Sequence, residues 1–155
     1  MERNVHVVDP EVLIEEYRAL LNEDGAQSLP LVVSGSSMSP FLVHGRDTVY
    51  LSKTPEHIGV GDILLYRRES GMYVLHRVVG INGDELSLLG DAQIQIENGI
   101  RRDQVIAVAS AAVRKGRHIA AGDPCWDFFE KLWPRMVGLR SLLLKIWSAF
   151  SKFKA

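Results

Sequence analysis

Three regimes of hydrophobic spacing divide the chain. In residues 10–22, Leu13, Tyr17, Leu20 and Leu21 recur at helical intervals, while Glu11, Glu15, Glu16 and Arg18 supply a polar face. That pattern predicts an amphipathic helix. Asp9 offers a capping oxygen, and Pro10 suits the first helical position because its missing N–H costs nothing there. Asn22-Glu23-Asp24-Gly25 ends the helix, which is expected to pack on the domain that follows.

From Leu29 to about Arg114 the period shortens to that of strands. Candidate strands are residues 31–33, 48–52, 62–67, 72–79, 85–89 and 104–113. Turn-forming residues separate them, and Asn82-Gly83 predicts a tight hairpin because both central residues of such a turn need positive φ. Strands at hairpin spacing without intervening helices predict a mainly β domain, an antiparallel and partly barrel-like sheet. Beyond it, Ala120-Ala121-Gly122-Asp123-Pro124 reads as a linker and residues 127–131 as a short helix. After Pro134, the residues Met136, Leu139, Leu142, Leu143, Ile146, Trp147, Phe150 and Phe153 fall mainly on one helical face. Arg135, Arg140, Lys145, Lys152 and Lys154 lie between or beside them. Such a basic amphipathic helix can lie in a membrane interface or dock on the sheet. The expected organisation is a helical segment (1–28), a β domain (29–115), and a linker with a C-terminal amphipathic helix (116–155).

Composition narrows the functional classes. The 155 residues suffice for one domain with a sizeable core, and the 46% hydrophobic and 24% charged fractions are ordinary for a globular protein. With 18 basic against 19 acidic side chains, charge gives no reason to expect nucleic acid as a partner. The single Cys125 excludes an internal disulfide and suits a reducing compartment. No Cys-x-x-Cys or His-Glu-x-x-His motif offers a metal site, and no cofactor is expected. The N-terminus lacks a basic-then-apolar signal, and no apolar run reaches the roughly 18 residues that span a bilayer. A cytoplasmic protein, free or peripheral on the inner face of the membrane, is the expectation.

The chemistry resides in two segments. Ser34-Gly35-Ser36-Ser37-Met38-Ser39-Pro40 places serines in a glycine-rich turn, and Val74-Leu75-His76-Arg77-Val78-Val79 sets a histidine in a β run. A serine hydroxyl needs a base to become a nucleophile, and imidazole is suited because its ordinary pKa is about 6.5. The serine segment resembles the nucleophile box of the LexA / type I signal peptidase superfamily, in which a Ser-Met step carries the nucleophile. Gly45-Arg46-Asp47-Thr48-Val49-Tyr50-Leu51 and Gly61-Asp62-Ile63-Leu64-Leu65-Tyr66 are also similar to segments of that family. The resemblance implies Ser37 as nucleophile. His76, where LexA-like proteins have lysine, resembles the Ser-His branch of endoplasmic-reticulum and archaeal signal peptidases.

Gly90-Asp91-Ala92 is similar to that branch's Gly-Asp-Asn motif, with Ala92 replacing asparagine, and implies Asp91 as the acid that orients His76. Glu97 is the alternative acid and Asp103 a third candidate. Many signal peptidases carry a hydroxyl where Gly35 stands, and the LexA-like spacing implies an oxyanion hole of the Ser36 and Ser37 backbone N–H groups. The function implied is a serine endopeptidase that removes a leader or signal segment from a peptide or protein. The competing expectation is a non-catalytic module that keeps the fold and holds an extended peptide. A LexA-like regulator is disfavoured, since one N-terminal helix cannot supply a helix-turn-helix domain.

Overall fold

The computed structural model describes residues 10–23 and 28–152. Helix α1 (Pro10–Asn22) precedes β1 (Leu29–Val32), β2 (Thr48–Ser52), β3 (Ile63–Arg67), β4 (Tyr73–Asn82), β5 (Glu85–Leu89), β6 (Glu97–Arg101), β7 (Val105–Arg114) and β8 (Arg117–Ala120). Then come α2 (Pro124–Asp127), a wide π turn (Phe128–Leu132), a 3₁₀ turn (Trp133–Met136) and α3 (Val137–Lys152). The expected cap at Asp9, the helix end at Asp24-Gly25, and Phe153 and Lys154 lie outside the described residues.

All strand pairings are antiparallel, in the order β1-β2-β7-β3-β4-β5-β6. On one side β7 is paired by β2. On the other, β3 covers its first half and β8 its second. The sheet stays open, with β1, β6 and the short β8 as its edges, rather than closing into a barrel.

Six strands coincide with the hydrophobic pattern to within a few residues, and two depart from it. In Glu-Asn-Gly-Ile-Arg of β6 only Ile100 is buried, and in Arg-His-Ile-Ala of β8 only Ile119. One buried side chain per strand leaves no alternation to read. The expected linker therefore begins with a paired strand. Its hairpin turns at Lys115 and Gly116, both at positive φ (51° and 77°), as a two-residue hairpin of the I′ kind requires. The β4–β5 hairpin is displaced one residue from expectation. Asn82 pairs with Glu85, and the central residues are Gly83, at φ 60°, and Asp84. Glycine first in the pair fits the II′ arrangement.

The two faces of the sheet have separate cores, and this positions the site. On β3, Ile63 and Leu65 join a large cluster with Met38, Phe41, Leu42, Ala107, Trp126, Phe129 and Trp133. Leu64 and Tyr66 turn the other way, to Val78, Leu86, Leu88, Ile100 and Val105. The strand is buried on both sides for that reason. Phe41, just after the serine turn, packs at 5.7 Å from Trp126 and 4.8 Å from Phe129 between ring centres. The C-terminal turns thus clamp the chain that carries Ser37.

One buried ion pair ties this layer to the sheet. Arg77 donates from Nε and Nη2 to the two oxygens of Asp91 (2.9 and 2.7 Å), and from Nη1 to the Gly61 carbonyl (2.8 Å). Its guanidinium carbon lies 5.1 Å from the centre of the Phe41 ring. Helix α3 both docks and exposes. Arg140 is wholly buried and Leu143 and Leu144 are partly so, whereas Leu139, Leu142, Ile146 and Phe150 stand in solvent. Removing one partner of a buried pair strands the other charge, at a cost of about 3–5 kcal/mol. Asp91→Ala is therefore expected to lower the unfolding free energy by about that amount in urea titration; an unchanged midpoint would contradict the role given to the pair.

Candidate active site

The serine turn is held by its own backbone. Gly35 lies at φ 82°, a conformation that favours glycine. Its N–H donates to His44 Nδ1 (3.1 Å), and Ser39 N–H donates to the Ser36 carbonyl (3.1 Å). Behind the turn, the buried Asp47 accepts from the amides of Val43 (2.9 Å) and Lys115 (3.1 Å) and from Arg46. Arg114 donates to the carbonyls of Phe41 and Pro40. The Ser39–Pro40 peptide bond is cis.

Ser37 is half-buried against the end of β5. Its carbonyl accepts from the Ala92 amide at 2.8 Å. A Cβ added to Gly90 would fall 2.6 Å from that carbonyl oxygen and 3.0 Å from Ser37 Cβ. Glycine is thus required at position 90 by close approach. The register of β4 and β5 pairs Arg77 with Leu89, so one further step sets Gly90 across from His76. Ser37 thus sits against Gly90, one residue beyond the Leu89–Arg77 pair and beside the strand that carries His76.

His76 is 1% exposed. It pairs with Leu64 of β3, and its Nδ1 is 3.2 Å from Tyr66 Oη and 3.5 Å from Glu97 Oε1. Tyr66 donates to Glu97 Oε2 (3.0 Å). Arg68 donates to the same oxygen from Nε (2.9 Å) and to Oε1 from Nη2. Glu97 reaches this face because β6 pairs it with Leu88, whose side chain belongs to the same core.

The electrostatics follow from burial and this one carboxylate. Burial lowers the His76 pKa from 6.5 to about 4; the Glu97 charge opposes that shift and Arg68 assists it. Burial also raises the Tyr66 pKa, helped by the neighbouring Glu97 charge. For Glu97, burial pushes upward, but the hydrogen bonds from Arg68 and Tyr66 outweigh it and hold the carboxyl below its usual range. At neutral pH the cluster thus contains a neutral imidazole, a neutral phenol and an ionised carboxylate.

The sequence-based site residues therefore divide. Glu97 meets His76, whereas both oxygens of Asp91, the first-choice acid, are held by Arg77 on the opposite face. The cause is strand alternation: Asp91 lies two residues beyond Leu89 and shares the Arg77 side, so its carboxylate meets Arg77 and not His76. Asp103, the third candidate, is exposed and bonded to Arg101. Tyr66 and Arg68 were missed. The available signal was a tyrosine inside the buried run Ile-Leu-Leu-Tyr, since a buried phenol needs a polar partner.

Behind the turn at 90–93, Arg140 donates from Nη1 to the carbonyls of Gly90 (3.1 Å) and Gln93 (3.2 Å), and from Nη2 to that of Trp133 (3.0 Å). The Trp133 indole donates to the Asp91 carbonyl (3.2 Å). An open cleft of about 440 Å³ adjoins this turn, lined by Arg68, Glu97 and residues 92–96. In comparisons with known proteins, the chain matches no family model and no curated sequence.

A base whose conjugate acid titrates near 4 remains neutral well below physiological pH. The buried ring takes its proton only as pH falls through about 4, whereas an unfolded ring does so near 6.5. His76 accordingly contributes stability above about 6.5 that is lost as pH falls from there through about 4. The rate of Ser37 acylation by a serine-reactive probe is expected to hold from pH 7 to pH 5 and to decline toward 4. A limb centred near 6.5 would show that the ring is solvated instead.

Proposed function

We propose that the chain is a serine endopeptidase of the signal-peptidase-like type, built on the antiparallel sheet of that superfamily, which removes a leader or signal segment from a peptide or protein. The observation that carries this reading is the seating of Ser37 on Gly90, one residue beyond the Leu89–Arg77 pair and so beside the strand that carries His76. Ser37 Oγ attacks the peptide carbonyl as His76 takes its proton, and His76 returns that proton to the leaving amine. Water then attacks the acyl-enzyme, with His76 again as base. The N–H groups of Ser36 and Ser37, which donate to no acceptor among the described residues, supply the oxyanion donors. Glu97 takes the acidic role that the family resemblance gave to Asp91.

Two further features bear on substrate and place. Edge strand β1 runs directly into the serine turn; Tyr17 Oη donates to the Pro30 carbonyl, and an extended peptide can align along the edge beyond it and present a carbonyl to Ser37. That same edge supports the second reading, a module that binds peptides without cleaving them. No helix among the described residues is long and apolar enough to cross a membrane. Helix α3 exposes Leu139 (59%), Leu142 (58%), Ile146 (46%) and Phe150 (71%). No acidic residue follows Glu130, while five basic ones follow Lys131, of which, among the described residues, only Arg140 is buried. An apolar row beside cations and without acids suits the anionic surface of a membrane, and we place the enzyme peripherally on its cytoplasmic side.

Purified protein treated with an acylating serine probe is expected to be labelled at Ser37, with labelling abolished in Ser37→Ala and reduced by about 10²–10⁴-fold in His76→Ala. An unlabelled, folded wild type favours the binding module. Flotation with anionic vesicles is expected to carry the wild type upward and to leave Leu142→Ser/Ile146→Ser/Phe150→Ser behind. Equal flotation of the two would remove the membrane role of α3.

A further inference from the structure

We infer that Tyr66 is a positioning residue that fixes the His76 ring with its proton on Nδ1 and its lone pair on Nε2. This rests on the peptidase reading of Ser37 and His76 and supplies what that reading lacks, a cause for the correct tautomer. A carboxylate accepts hydrogen bonds and donates none. Glu97 is ionised and takes the Arg68 fork on both oxygens, so the phenolic proton of Tyr66 must point to Glu97 Oε2. A phenol has one proton, and the face of its oxygen turned to His76, 3.2 Å away, can only accept. Nδ1 must then be the donor. A neutral imidazole carries a single N–H, which leaves Nε2 bare and able to take the serine proton.

Packing makes the arrangement rigid. Tyr66 is fully buried among Leu64, Val78 and Leu88, so the phenol oxygen cannot swing away from its two partners. Glu97 Oε1, at 3.5 Å from Nδ1, is too far for a good direct hydrogen bond, and Arg68 holds it there. The carboxylate therefore orients the base through Tyr66. Arg68 is part of the device, because pairing keeps Glu97 an obligate acceptor.

The test uses the full chain with ¹⁵N-labelled histidine. At pH 7 the His76 resonances of the wild type are expected to report Nδ1–H and a bare Nε2; the Nε2–H tautomer would overturn the inference without any variant. In Tyr66→Phe, a population of Nε2–H is expected to appear, and acylation of Ser37 to slow by about 10- to 100-fold. Thermal unfolding checks that this variant is folded. A folded Tyr66→Phe with the wild-type tautomer and wild-type acylation rate would equally overturn it. If the tautomer behaves as stated but wild-type Ser37 is never acylated, the peptidase reading falls while the tautomer assignment stands.

Discussion

The two-residue period of β4 is the constraint on which the rest of this molecule depends. His76 and Arg77 are neighbours in sequence and face opposite ways, each into its own core. Arg77 meets an aromatic layer and the Asp91 carboxylate, and so becomes the bolt between the sheet and the C-terminal turns. His76 meets Tyr66 and Glu97 and remains a neutral base. A slip of one residue in this strand would exchange these environments, burying a guanidinium beside Arg68 and moving the imidazole away from Tyr66 and Glu97. Structural and chemical roles are separated here by the thickness of one sheet.

Much of the fold was legible because it rests on patterns that sequence records well. Strands with two or more buried positions announce themselves, β2 and β5 by alternation and β3 by an unbroken apolar run. Edge strands with a single buried isoleucine do not, and β6 and β8 went unseen for that reason. The hairpin at Gly83 was foreseen as a turn but misregistered, because Asn-Gly fits one turn type and Gly-Asp another, and strand register chose between them.

The candidate site was half legible for a related reason. Ser37 and His76 stand in local motifs, and local motifs survive in one dimension. The identity of the acid does not, since it depends on which face a residue reaches after a turn. Asp91 lies in the more suggestive motif and Glu97 in an unremarkable strand, yet strand pairing gives Glu97 to the imidazole. Tyr66 was invisible for a subtler reason: in sequence it is one more large residue in a buried strand. Only the neighbouring Arg68–Glu97 pair gives its hydroxyl a direction.

Arg140 joins the two ends of the molecule's proposed work. One wholly buried guanidinium on α3 holds the carbonyls of Gly90 and Gln93, and Gly90 is the seat of Ser37. The helix with the exposed apolar row is thus in mechanical series with the proposed nucleophile. A change in the seating of α3 would reach the turn beneath Ser37 through these two hydrogen bonds. If Ser37 acts as proposed, the resting place of α3 and the seating of that serine are linked through one side chain.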